Sequence, residues 1–226
     1  AAQAVVSGDD PRSENAPFVN QLIMGDTLGA ASASEDAWLT LITAGTAGLG
    51  LLDSIEVNEL RHPLLVHQRR IVADSEGAGT YTGAPASMVE FGPTHGPMRV
   101  VYQSDGTDNP PQGVSGGLAG QGARNFIKKS NGEVTSADGW ADIVLVQDES
   151  IVGISCGGGG YGPPWARETA RVIAALEEGY LSCERAETIY GVILNDEGGL
   201  DEEASARRRA ALRDWSNTSP ICQSPT

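Results

Sequence analysis

The sequence predicts an α+β chain, mostly β mixed sheets with glycine-rich loops and a helical C-terminal segment. Three observations carry this expectation. Short apolar and β-branched runs, separated by Gly, Pro and Asp turns, fill the first two-thirds of the chain. Glycine takes 29 of 226 positions, which suits tight turns and close backbone approaches better than long helices. Helix-period apolar spacing with capping residues begins only after Pro164. The expected organisation is a β-rich domain over residues 1–164, a helical appendage over 165–215 and a flexible tail over 216–226.

Residues 3–7 read as a strand, closed by the turn residues Gly8, Asp9, Asp10 and Pro11. Residues 18–24 read as a second strand, halted by Gly25 and Asp26. A small-residue loop follows over 30–34 and an apolar segment over 38–42, after which Gly45, Gly48 and Gly50 argue for a loop. Residues 63–73 mix β-branched and long side chains, as an extended strand would. His62 and His67, five apart on that extended stretch, face opposite sides and so make a poor two-His metal pair. The turn Asp74-Ser75-Glu76-Gly77-Ala78-Gly79 comes next. Residues 98–103, 143–146 and 151–154 are further strands, and 104–122 is a long polar connection of the kind that is functional or lies against a partner. Beyond the glycine run, Val172, Ile173 and Leu176 mark a helix over 168–178 with Gly179 at its C-cap position. Ser182 is placed to cap a second short helix that ends at Gly191, with Leu181 and Ala186 as its hydrophobic staple. A small strand over 192–194 leads to a third helix over 201–214, with acids in its first turn and Glu203 four residues before Arg207.

A net charge of −15 argues against nucleic acid and anionic membrane surfaces as partners, since like charges repel. No apolar run approaches the roughly 20 residues of a membrane helix. Cys156, Cys183 and Cys222 lack metal-type spacing and form an odd set, which favours a reducing, cytoplasmic setting over a disulfide scaffold. Residues 1–6 lack the basic and long apolar regions of an intact signal peptide. There is no initiator Met, so trimming and cleavage from a longer precursor both stay open.

Gly157, Gly159 and Gly162 fit a dinucleotide fingerprint by spacing alone. Pro163 and Pro164 follow at once and remove two N–H donors where a pyrophosphate would meet a helix N-terminus. Glu177 and Glu178 fall at a helix end, whereas a ribose-binding acid belongs at the end of the following strand. Two readings remain: close passage of the backbone against another segment, or a substrate-lining nest.

The run Cys156-Gly157-Gly158-Gly159-Gly160-Tyr161-Gly162-Pro163-Pro164, with Glu178-Gly179-Tyr180-Leu181-Ser182 and Tyr190-Gly191-Val192-Ile193-Leu194 downstream, resembles the end of hydantoinase B/oxoprolinase proteins, with their GGGGYGDP, GLVS and YGVVL segments. Upstream, His62-Pro63-Leu64-Leu65-Val66 with the turn over 74–79 is similar to the family's YPL.V and DSGGAG pair. Gly116-Gly117-Leu118 and Gly122-Ala123-Arg124-Asn125 resemble its GG…PGRN stretch. The chain departs from the pattern at Glu76 (a glycine there), His62 (an aromatic), Pro163 (Asp) and Ser155-Cys156 (Thr-Pro), changes that bear on the substrate.

The resemblance implies a non-autonomous subunit of an ATP-dependent cyclic amide hydrolase of hydantoinase, lactamase or oxoprolinase type. In that scheme phosphorylation of the amide oxygen creates a leaving group, and this chain shapes the substrate cavity. It implies two partner chains, a B-type N-terminal-half chain and an A-type nucleotide-binding subunit. ATP with Mg and a divalent metal would sit on those partners, and this chain alone would bind neither. The same architecture serves biotin-independent, ATP-dependent ketone carboxylases, and a third reading is a structural assembly subunit without catalytic contact.

The polar candidates for substrate binding are Asp74, Ser75 and Glu76, because a turn bracketed by glycines can present side chains and amides. Arg124 and Asn125 could hold a carboxylate or carbonyl, and Gly158, Gly159 and Tyr161 could line the same cleft. Asp26 and Asp36 flank a loop near it. Each has a plain alternative, a well-formed turn or a pinned loop. Cys156 and Cys183 read as structural thiols, since no histidine lies near enough in sequence to activate them.

Overall fold

A computed structural model describes residues 3–25, 27–37, 39–40, 52–104 and 106–218. The strands β1 (Gln3–Asp10), β2 (Ala16–Ile23), β3 (Thr27–Leu28), β4 (Leu39–Thr40), β5 (Leu64–Ile71), β6 (Ser87–Pro93), β7 (Met98–Gln103), β8 (Arg124–Lys128), β9 (Val134–Ala137), β10 (Trp140–Leu145) and β11 (Ser150–Ile154) precede most of the helical structure. The helices are α1 (Ile55–Arg61), α2 (Thr169–Glu177), α3 (Cys183–Arg185) and α4 (Glu202–Thr218). Strand order is β10-β7-β1-β2 in one sheet and β5-β6-β11-β8-β9 in the other, with β3 and β4 as a separate pair. Among the described residues every ladder between these strands is antiparallel. The α+β class stands.

The two large sheets pack face to face because each turns its alternate apolar residues inward. Val6, Leu22, Val100 and Leu145 from the first sheet meet Leu64, Val89, Phe91 and Ile151 from the second. Burying each such side chain contributes about 1.5–3 kcal/mol. β7 shows the period-2 logic: Met98, Val100 and Tyr102 are buried, while Arg99 and Gln103 face out. β1 and β2 are joined through a turn in which Asp10 accepts from the Arg12 N–H at 2.9 Å, and Glu14 and Asn15 take left-handed φ of 54° and 57°.

Several elements differ from the sequence reading. β6 was legible as neither strand nor helix because all seven of its residues are buried, so it shows no alternation. β8 and β9 are four or five residues long and largely polar. α1 is a seven-residue helix capped by Ser54, whose hydroxyl accepts from the Val57 N–H at 3.3 Å. His62 is the C-cap of α1 and not a strand residue; it stacks on Phe18 with ring centroids 5.5 Å apart. His67 alone lies on β5. Residues 192–194 form only the isolated bridge Leu194↔Leu200. α4 continues through Thr218, so residues 216–218 of the expected tail are helical, and 219–226 lie outside the described residues. So do Trp38, the expected apolar residues 41–42 and the loop glycines Gly45, Gly48 and Gly50, although Leu39–Thr40 pairs with Thr27–Leu28.

The C-terminal helices follow their local signals. α2 ends at Gly179, with φ 74°, and Ser182 caps α3 by accepting from the Arg185 N–H at 3.2 Å. A π-helical turn, Ala186–Tyr190, stops at Gly191, with φ 66°. Val172, Leu181, Ala186, Tyr190 and Val192 form a second core that also takes in Ala78 from the glycine-bracketed turn. Arg207 pairs with Glu203 on the exposed side of α4.

Candidate functional site

Glycine builds the platform beneath the site. Gly77 donates to the Gly158 carbonyl at 2.7 Å, Gly158 to Ala84 at 2.9 Å, and Gly160 to Leu118 at 3.0 Å. Tyr161 bridges Tyr81 on one side and Val114 on the other. Three segments, 77–84, 113–121 and 157–162, thus lie backbone against backbone. A Cβ at Gly83 would stand 1.9 Å from the Gly158 oxygen, and one at Gly159 would stand 2.0 Å from the Gln112 oxygen. The glycine run is therefore a close-passage device, and the N–H groups of Gly157, Gly158, Gly160, Tyr161 and Gly162 all donate to backbone carbonyls within the stack.

On this platform the candidate residues separate into distinct roles. Asp74, at φ 60°, donates its N–H to Tyr180 at 3.0 Å and accepts from the Ser182 N–H at 2.8 Å, tying the turn to the helical segment. Ser75 is buried and its hydroxyl links the Val72 carbonyl to the Ala86 N–H. Arg124 is exposed and lies with Gln121 on the lining of a second cavity. Asn125, 2% exposed, lies in β8 and donates to the Asp138 carbonyl at 3.5 Å. Gly158, Gly159 and Tyr161 belong to the stack. Asp26 lies outside the described residues.

Glu76 is the exception. It is 7% exposed, yet it lines a cavity of about 560 Å³ between the platform and α2. Its Oε1 accepts from Arg185 Nε at 2.9 Å and from the Tyr190 hydroxyl at 2.9 Å. Arg185 Nη2 also donates to the Glu76 carbonyl at 2.9 Å. Oε2 is buried without a partner. Burial, then the adjoining Glu76 carboxylate, pushes the Tyr190 phenol well above its usual range, so it is a fixed donor at neutral pH. A smaller, more open cavity of about 460 Å³ on the far side of Glu76 holds Asp74, Gln121, Arg124 and Arg185.

The lining of the larger cavity also includes Asp36, Arg167 and Arg171. Arg167 binds both Asp36 oxygens, at 2.6 and 2.8 Å, and the Thr80 carbonyl at 3.2 Å. Asp36 also accepts from the Thr82 N–H at 2.7 Å and from Arg171 at 3.2 Å. Burial alone would raise the Asp36 carboxyl. The Arg167 and Thr82 hydrogen bonds and the two arginine charges outweigh it and hold the group below its ordinary value. The floor is apolar, with Val172, Ala175 and Leu181. Arg167, Arg171, Arg185 and Tyr190 escaped the sequence reading because their partners lie about a hundred residues away. A usable signal was the i,i+4 spacing of Arg167 and Arg171 just after two prolines. Among the described residues no group of three or more His, Cys, Asp or Glu side chains could hold a metal ion.

A family model described as hydantoinase B/oxoprolinase matches residues 1–164. The chain is 30% identical over 211 residues to the caprolactamase subunit beta of Pseudomonas jessenii, covering 91% of this chain and 36% of that protein. It is 26% identical over 111 residues to a 5-oxoprolinase of Dictyostelium discoideum, covering 49% of this chain and 9% of the relative. Among solved structures, the fold is similar to the ATP-dependent caprolactamase from Pseudomonas jessenii, with TM-score 0.76 and 22% identity over 92% of this chain and 37% of that one. It is also similar to an acetone carboxylase, with TM-score 0.78 and 20% identity over 97% of this chain and 34% of that one. The chain thus spans about a third or less of the length of these relatives.

Proposed function

The chain belongs to the hydantoinase B/oxoprolinase family, and from that premise we propose that it is a non-autonomous subunit of an ATP-dependent cyclic amide hydrolase. The observation that carries this reading is the 30% identity to a caprolactamase subunit beta over 91% of the chain. In this reading the chain works beside a B-type N-terminal-half chain and an A-type nucleotide-binding subunit, and it closes and shapes the cavity that receives the lactam. A fixed wall that orients the substrate is a recognised source of rate, because it removes rotational freedom before reaction.

In this reading nucleotide and metal sit on the partner chains, and no step is assigned to them on this chain. What the chain offers is a small cavity lined by apolar side chains with a few polar groups among them, the usual form of a small-molecule site. The assembly would be tested by isolating the chain gently from its source and identifying its companions by mass spectrometry. Co-isolation of a B-type chain and a nucleotide-binding chain is expected. A chain that emerges alone, folded and monodisperse, overturns the reading.

A further inference from the structure

We propose that the open cavity beside Arg124 binds a zwitterionic amino acid, its carboxylate on Arg124 and its ammonium on Asp74, and that it receives the ring-opened product of the assembly. That the ligand is the product rests on the cyclic-amide reading; the charge pattern that favours a zwitterion does not.

This cavity of about 460 Å³ is lined by Asp74, Glu76, Gln121, Arg124 and Arg185 with the short segments around them. Two cations and two anions therefore share one lining. One pair among them is joined at hydrogen-bond distance, Arg185 Nε donating to Glu76 Oε1 at 2.9 Å. Arg124 is exposed and makes no ion pair among the described residues. Asp74 is half-buried, and its Oδ1 accepts from the neutral Ser182 N–H at 2.8 Å. Both charges stand on backbone that the fold holds in place. Arg124 opens β8 in register with Ile154 of β11. Asp74 is pinned at φ 60° with its own N–H on the Tyr180 carbonyl. Charges carried by a paired strand and a tied turn keep the spacing that a ligand must match.

Charge defines the ligand. With the Arg185–Glu76 pair set aside, one cation and one anion remain, and the lining as a whole is neutral. A simple anion answers Arg124 but meets Asp74 and Glu76, and a simple cation answers Asp74 but meets Arg124 and Arg185. A molecule that carries both charges answers both. The planar fork of Arg124 matches a carboxylate, and an ammonium brings several donors to the Asp74 carboxylate. Adding water across the C–N bond of a cyclic amide leaves a carboxylate on the carbon and an ammonium on the nitrogen of one molecule. The neutral lactam has neither charge, so this cavity favours product over substrate. Glu76 lines both this cavity and the larger one, so the two adjoin, and a product formed at the larger cavity has a charged site next to it.

The test is calorimetric titration of the native assembly containing this chain with 5-aminopentanoate, pentanoate and pentylammonium. The zwitterion should bind about five-fold more tightly than either singly charged relative, the scale of one exposed charge pair. Arg124→Gln and Asp74→Asn, the latter keeping an acceptor for the Ser182 N–H, should each weaken 5-aminopentanoate by about the same factor. Each should also bring it level with the singly charged relative whose partner remains. No binding of 5-aminopentanoate by the wild-type assembly overturns the inference, as does binding that survives both substitutions. Either result leaves the hydrolase reading intact if the same assembly opens 2-piperidone. An assembly that opens no lactam defeats the hydrolase reading instead, and the product assignment with it.

Discussion

Replacing Gly158 by alanine isolates what the glycine platform does. A Cβ at this position would stand 1.9 Å from the Gly29 carbonyl oxygen and 3.0 Å from the Ala84 nitrogen. Both are backbone atoms, so no side chain can rotate away, and relief requires the strands to separate by about an ångström. That separation breaks the Gly77 N–H bond to Gly158 (2.7 Å), the Gly158 N–H bond to Ala84 (2.9 Å) and the Ala84 N–H bond to Gly29 (3.1 Å). Each buried group left unpaired costs about 1–3 kcal/mol, giving about 3–9 kcal/mol against a typical total stability of about 5–15 kcal/mol. Gly179→Ala is the matched control: its φ is 74° and nothing lies within 4 Å of the new Cβ, so only local strain of about 1 kcal/mol applies. Urea unfolding followed by circular dichroism should show Gly158→Ala largely unfolded in the absence of denaturant or shifted far below wild type, and Gly179→Ala shifted slightly. A midpoint for Gly158→Ala at or above that of Gly179→Ala would refute the packing argument.

Two further perturbations address the cavity walls. Arg167 is 6% exposed and bidentate to Asp36, so Arg167→Ala leaves that partly buried carboxylate with only the Thr82 N–H and Arg171 and should cost about 1.5–3 kcal/mol in urea titrations. Because Asp36 titrates below its ordinary value of 3.8 in the folded chain, its stabilisation is present above that pH and lost as pH falls through the folded value. Asp36→Asn should remove that part of the acid sensitivity, and an unchanged acid limb would count against the pairing. Tyr190 has the opposite sign: its folded value is raised above 10.0, so its contribution is complete below that pH and declines as pH rises beyond it. Tyr190→Phe should flatten the alkaline limb of stability, and tyrosinate absorbance should show Tyr190 ionising at a higher pH in the folded chain than in urea.

The sequence carried the parts of the fold that depend on neighbours in the chain. β7 alternates buried and exposed residues, Gly179 and Ser182 are local caps, and all three could be read without coordinates. β6 could not be read, because burial on both sides erases the alternation that identifies a strand. The candidate turn was legible as a feature, but its three polar residues divide in a way only tertiary partners reveal. Asp74 and Ser75 are tied down by backbone hydrogen bonds, while Glu76 is held by Arg185 and Tyr190, 109 and 114 residues downstream. The glycine run gave two readings, and the close passage is visible in its dense backbone pairing with segments 77–84 and 113–121.

The most direct test of the account is ATP-dependent lactam ring opening by the assembly reconstituted with and without this chain. The account predicts ring opening coupled to ATP hydrolysis only when the chain is present, with no requirement for bicarbonate. Full ring opening by a pure assembly lacking the chain would contradict it, and bicarbonate-dependent consumption of a ketone in place of lactam opening would assign the chain to carboxylation.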